Sequence, residues 1–449
     1  MSRFYIEKNE SKASIESRKI KIFPNLFGLG ISKISYFLVI IIAEISLIAP
    51  RNFFTLFGHE LRISITYFFI VVLIIHLILF YLVRGKITIQ KDVVSDKFVG
   101  FIIIWWVIAF FSTLINPIIY PGLVPYFFEN LVNLFKWSSG LVFLLIGLKL
   151  IKWKEDDLKI IIDLLIFTST IISIILLIRY NLFSSYSQLT GNLSWLFWED
   201  IAKHEIPEVL AMISIMTVSI ISEQSNLLKK IFYFLSFAII ITVIMFFFSR
   251  ETYVTIFVGL LTLLIVKDMK RINKFIIFII FLASFFVLIQ LNFGQFIIWT
   301  IKEFYINSNI ALSFRIDRWV SAIKIGLEHP LIGVGFSGFQ YFVGPSGGTS
   351  AHNAYLQAFV VGGIPGFFIF IAVITNLFVA VRKCLRCSRH FIKAFSEGLF
   401  SILIGYLSSA LFSDHFFTFY YFSLIFWGLF AVLVVVVKKN SENNINQLL

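Results

Sequence analysis

Two arginines, a tryptophan and a histidine share one polar stretch of a chain that is otherwise strongly apolar. Between Leu312 and Gly366 lie Arg315, Arg318, Trp319, a run of spaced glycines and the pair His352-Asn353. An arginine presents a planar fork of N–H donors that suits the oxygens of a phosphate. A histidine titrates near neutrality and is a common proton acceptor for a hydroxyl nucleophile. Arg250, in FFFSRETYVTI, adds a cation at the junction of two apolar runs. Together these residue types could hold an anionic leaving group and activate an incoming hydroxyl.

The elements that position them read as membrane helices. Of the 449 residues, 59% are hydrophobic and 14% charged, against about 25% charged in a soluble chain. Twelve apolar runs approach the length of about 20 residues that crosses a bilayer core: 32–49, 66–83, 98–115, 131–151, 158–178, 206–222, 231–248, 252–266, 274–291, 355–381, 396–412 and 416–437. The eighth is short. The tenth is long and broken by Gly362-Gly363-Ile364-Pro365-Gly366, a break tolerated only where protein or water satisfies the backbone. The expectation is an all-α integral membrane protein of about 12 transmembrane helices.

The net charge of +13 does not point to nucleic acid, because the charges sit in short loops between apolar runs. With the N-terminus inside, the inner segments hold 25 of the 38 lysines and arginines and the outer loops hold nine. The positive-inside rule therefore places both termini inside. The chain divides into an inner N-terminal segment (1–30), helices 1–9 (31–291), a large structured outer loop with short helices (292–354), helices 10–12 (355–438) and an inner tail (439–449). The long, polar and basic start predicts no cleavable signal peptide.

Each candidate residue has two readings. Arg250 either faces a polar cavity, as costly charges near hydrocarbon usually do, or snorkels and pairs with Glu251. Arg315 shares a helical face with Trp319, and Trp319, Ile323 and Leu327 form an apolar face that could lie on the outer leaflet. Arg318 and Asp317 read as solvated charges. His352 is a base or merely an interfacial residue at the start of a span, with Asn353 beside it. Asp414-His415 lines the site or only connects the last two spans. Glu199, Asp200, Lys203, His204 and Glu205 form an outer polar loop that could face an acceptor. Gly333-Val334-Gly335-Phe336-Ser337-Gly338 fits G-x-G-x-x-G, but no strand precedes it, so the glycines read as tight turns or close packing. Cys384, Cys387 and His390 supply only three ligands in a basic loop and read as ordinary residues. No metal site is expected.

The ordered motifs resemble the superfamily of O-antigen ligases and O-antigen polymerases. The resemblance rests on Ser249-Arg250, on Arg315 four residues before Trp319, and on His329-Pro330-Leu331-Ile332-Gly333-Val334-Gly335-Phe336. It extends through His352-Asn353-Ala354-Tyr355-Leu356-Gln357 and the Gly362–Gly366 break, covering roughly residues 235–380. It implies a metal- and cofactor-independent glycosyltransferase of the bacterial inner membrane. The donor would be a glycan on undecaprenyl pyrophosphate, the acceptor a sugar at the periplasmic face, as in ligation to lipid A-core. Arg250 and Arg315 would then bind the pyrophosphate and His352 would activate the acceptor hydroxyl. Arg318, Trp319, Asn353, Asp414 and His415 would be secondary. A repeat-unit polymerase would use the same chemistry. A lipid-linked sugar flippase would instead show repeats and midplane ionisable groups; the polar residues here gather at one face.

Overall fold

A computed structural model describes residues 31–45, 52–56, 59–63, 74, 96–149, 151, 153–183, 200–246, 249–267, 315–336, 338–344, 350–386, 390–413 and 424–437. The ninth expected span, all of the second except residue 74, Asp414, His415 and both terminal segments lie outside them. In chain order the helices are α1 (Ile31–Ile45), α2 (Asp96–Ile119), α3 (Phe127–Lys149), α4 (Glu155–Phe183), α5 (Asp200–Ile221), α6 (Leu227–Phe246) and α7 (Arg250–Val266). They continue with α8 (315–328), α9 (Gly338–Val343), α10 (Ala354–Cys384), α11 (His390–Ser409) and α12 (Leu424–Val437). The described residues are helical apart from turns and one antiparallel hairpin, β1 (Asn52–Leu56) with β2 (His59–Ile63), in which Asn52 faces Ile63 and Leu56 faces His59. The sequence reading had placed no strand there.

Five helices hold stretches long and apolar enough to cross a membrane: Phe98–Ile119, Glu155–Ile178, Leu227–Met245, Ala354–Cys384 and His390–Ser409. Three shorter apolar helices, Asn133–Leu148, Glu251–Val266 and Leu424–Val437, accompany them. Glu251–Val266 coincides with the short eighth run. The segment from Asp200 to Glu205, read as loop, forms the first turns of α5 instead.

The core is organised around α5, in which every residue from Glu205 to Ile221 is buried. A helix enclosed on all sides needs its polar groups satisfied internally. Ser214 and Thr217 accordingly donate to Ala211 O (2.8 Å) and Ile213 O (2.7 Å) on their own helix, and Ser219 donates across to Ala394 O on α11. Helices α6, α7 and α11 pack around α5. Small residues bring α7 and α11 together, since a Cβ added at Gly405 would meet Thr255 O and Gly259. Close approach of this kind substitutes for the missing hydrophobic drive between helices in lipid. A second pairing, α2 against α10, carries the broken helix.

Candidate functional site

The break in α10 positions one half of the site. Gly363 takes φ +64°, a conformation open to glycine, and Pro365 has no N–H. The carbonyls of Val360 and Val361 therefore lose their helical donors. The glycine-rich loop after α8 replaces them: Val334 N donates to Val360 O (2.8 Å) and Gly335 N to Val361 O (3.2 Å). Ser112 Oγ of α2 also donates to Val361 O (2.7 Å), and Ile364 N turns back to Pro330 O (2.8 Å). Asn116 Nδ2 fixes the loop through Gly333 O (3.1 Å). Gly333 and Gly363 meet backbone to backbone, so a Cβ at Gly333 would lie 2.5 Å from Val360 O and one at Gly363 2.5 Å from Pro330 O. The glycine run and the Gly-Gly-Ile-Pro-Gly break are two halves of one lock. That accounts for the close-packing reading of the glycines.

The start of α10 presents His352. Asn353 is its N-cap, accepting from Tyr355 N and Leu356 N at 3.0 Å each, while Asn353 Nδ2 donates to Leu411 O at 3.0 Å. Ala354 N is shared between Ala410 O and Ser413 O, both at 2.9 Å. Gln357 Oε1 reaches back to accept from Ala351 N (3.0 Å). His352 itself sits at φ +47°, the one positive-φ residue other than glycine among the described residues. Histidine is among the types that tolerate this region, and such outliers persist where the surroundings fix them. The half-buried ring is thus carried on a turn tied to the end of α11. Asn353 acts here as the fastener of that turn.

The other half is built on α7 and α8. Ser249 caps α7 with its side chain accepting from Thr252 N, so Arg250 and Glu251 stand in the first turn. Glu251 Oε1 accepts from Arg315 Nη2 at 2.5 Å, with the two side chains 14% and 23% exposed. Trp319, one turn along α8, lies with its ring centroid 6.2 Å from that of Phe412, in the same 410–413 turn that caps α10. Arg315 and Trp319 on one side, and Asn353 and His352 on the other, are thereby brought to one end of the bundle. The Trp319 indole N–H is enclosed and has no hydrogen-bond partner among the described residues.

The structure departs from the sequence reading of α8. Arg318 is buried, not solvated. The inward face runs through Arg318, Ala322 and Ile325; Ile316, Val320, Ile323 and Leu327 point outward. Burial also pushes the ring of His329, just after α8, below the usual imidazole value, against the pull of the Glu328 carboxylate. Its Nδ1 is 2.9 Å from the Tyr120 hydroxyl.

Sequence reasoning missed Glu208. It is fully enclosed between α5, α7 and α11, accepting from Thr252 Oγ1 (3.0 Å) and Thr255 Oγ1 (3.4 Å). A carboxylate two positions into an expected span was the available signal, since ionisable residues there are rare and mostly functional. Among the described residues no group of three or more His, Cys, Asp or Glu gathers in a metal-binding arrangement. No curated protein sequence matches the chain. Residues 209–371 match the family model described as O-antigen ligase. That segment runs from the second half of α5 to just past the break in α10 and contains Arg250, Arg315 and His352. Over these residues the chain is similar to the O-antigen ligases, and the likeness supports the superfamily of O-antigen ligases and polymerases, whose members are glycosyltransferase-like membrane enzymes.

Proposed function

We propose that this protein transfers a glycan from undecaprenyl pyrophosphate to an acceptor sugar at the periplasmic face of the bacterial inner membrane, as in ligation of O-antigen to lipid A-core. The observation that carries this reading is the convergence of a partly exposed Arg315 and a fixed His352 turn at one end of the bundle. Arg315 and Arg250 would bind the donor pyrophosphate, where charge-assisted, forked hydrogen bonds are strongest. His352 would take the proton of the acceptor hydroxyl as its oxygen bonds to the anomeric carbon. The bond from that carbon to the pyrophosphate breaks, and undecaprenyl pyrophosphate leaves with the electron pair. Attack opposite the leaving group inverts the anomeric centre. The leaving group is a good one, so stabilising its charge and removing one proton suffice without a metal. The excess of inner lysines and arginines supports a periplasmic site.

Replacing His352 tests the assignment. In His352→Ala, turnover is expected to fall by about 10²–10⁴, with undecaprenyl pyrophosphate still bound, and wild-type transfer is expected to survive excess EDTA. Wild-type turnover in the variant would remove His352 from the chemistry.

A further inference from the structure

Glu208 lies at the centre of a hydrogen-bonded network that reaches both halves of the site. One arm leads to the donor side. Glu208 Oε1 accepts from Thr252 Oγ1 (3.0 Å), and Thr252 Oγ1 lies 2.8 Å from the capping Ser249 Oγ. Ser249 Oγ in turn lies 3.4 Å from Glu251 Oε2, and the other oxygen of Glu251 holds Arg315. The second arm leads to the acceptor side. Glu208 Oε2 lies 3.4 Å from Thr255 Oγ1, which also reaches Glu251 O (3.1 Å) and lies 2.9 Å from Ser409 Oγ at the end of α11. The next four residues, 410–413, are the turn that receives Asn353 Nδ2 and Ala354 N and so presents His352. Tyr406 completes the enclosure, its hydroxyl donating to the main-chain oxygen of Glu208.

A carboxylate enclosed at this depth is costly unless its oxygens are hydrogen-bonded. Hydroxyl groups from two turns of α7 supply that. An apolar residue would fill the same space without fixing the rotation of α7 against α5 and α11. The rotation of α7 sets where Glu251 points. The position of Ser409 sets the turn below His352. Errors of about 1 Å in such placement cost of the order of 100-fold in rate.

We infer that Glu208 is a positioning residue that keeps the pyrophosphate-binding and hydroxyl-activating halves of the site in register, through Thr252 on one arm and Thr255 on the other. This rests on the transferase reading given above. The two arms make it separable from a merely structural role, because each can be cut by a nearly isosteric change. Thr252→Val cuts the donor arm. Thr255→Val, or Ser409→Ala should that variant not fold, cuts the acceptor arm.

Two readouts on the full-length protein distinguish them: binding of undecaprenyl pyrophosphate to protein in lipid nanodiscs, and glycan product in cells lacking the native copy. Loss of one hydrogen bond to a carboxylate predicts roughly tenfold weaker binding in Thr252→Val. Thr255→Val is expected to bind within about twofold of wild type while its product falls roughly tenfold. Glu208→Leu should show both defects, and Glu208→Gln, which keeps one acceptor oxygen, should recover most of the loss. Equal effects of the two threonine variants on both readouts, or wild-type values in both, would overturn the inference. Wild-type protein that binds no undecaprenyl pyrophosphate would overturn the transferase reading, and the inference with it.

Discussion

At the N-terminal end of α7, Glu251 pairs with Arg315, and the side chains retain 14% and 23% of their exposure. At the C-terminal end, about 25 Å away along the helix axis, Lys267 pairs with Glu397 of α11 at 3.1 Å and with Glu223 at 3.3 Å. Lys267 and Glu397 are only 3% and 4% exposed. Both ends join α7 to its neighbours through a cation and a carboxylate, yet only one leaves room for a third party. Removing two charges from water costs several kcal/mol per ion, and a sealed pair recovers this only through good geometry and extra hydrogen bonds. The C-terminal pair spends its donors on two carboxylates and serves to clasp three segments. The guanidinium at the N-terminal end carries five N–H donors, and its side chain keeps 23% of its surface exposed. What separates the clasp from the proposed binding site is enclosure, together with the choice of cation: a lysine at the sealed end and an arginine at the other.

Breaking the sealed end should have the largest effect. Lys267→Met leaves Glu397 buried beside Lys393, whose Nζ is 4.0 Å away and half exposed. Stripping one partner from a buried pair costs about 3–5 kcal/mol, so the thermal unfolding midpoint of the protein in nanodiscs is expected to drop markedly. Undecaprenyl pyrophosphate binding by the protein that remains folded should be unchanged. Weaker binding without lower stability would mean that the clasp is coupled to the site.

Breaking the open end should do the reverse. Arg315→Ala removes charge-assisted hydrogen bonds worth about 1.5–3 kcal/mol, which is roughly 10- to 150-fold in donor affinity. The Glu251–Arg315 pair is more open than the sealed one, so its loss should lower stability less than the loss of Lys267 does. Arg315→Lys should restore binding only in part, because a point charge lacks the fork. Arg318, buried one turn from the open edge, is expected to behave like Lys267: Arg318→Ala should lower stability more than donor affinity. Arg318→Ala abolishing binding at unchanged stability would exchange the roles of the two arginines.

The same contrast explains what the sequence could reveal. The start of α7 was visible in Ser249-Arg250, because a serine cap before an apolar run is a local signal. The break in α10 was visible in Gly362–Gly366 for the same reason. That the glycine loop at 333–335 supplies the donors for that break was not visible, because the two segments meet only in the folded chain. Lys267 read as one more inner-loop lysine counted toward orientation, since burial depends on α11 arriving beside it. Arg318 was misplaced because α8 carries charges or apolar residues on every face, so periodicity alone could not choose the buried one. Glu208 hid near the start of an apolar run, where a carboxylate also suits the first turns of a helix.

The smallest expected effect lies at the end of α8 opposite Arg315, at His329. Its ring joins the end of α8 to Tyr120 and packs with its centroid 4.7 Å from that of Phe342 on α9. Burial lowers its pKa, so the folded protein favours the neutral ring. Such a group contributes stability above the ordinary imidazole value of about 6.5, and that contribution fades as the pH falls through and below it. The ring is partly exposed, so solvent keeps the effect small. The expectation is that the loop from 329 to 344 becomes modestly more susceptible to proteolysis between about pH 6.5 and pH 5. His329→Phe should remove this pH dependence while keeping the packing against Phe342. The sealed end has no histidine among its pairing groups, so lysine- or glutamate-directed cleavage near Lys267 should not change over the same range. A pH response of equal size at both ends would show that it arises from the bundle as a whole and not from this ring.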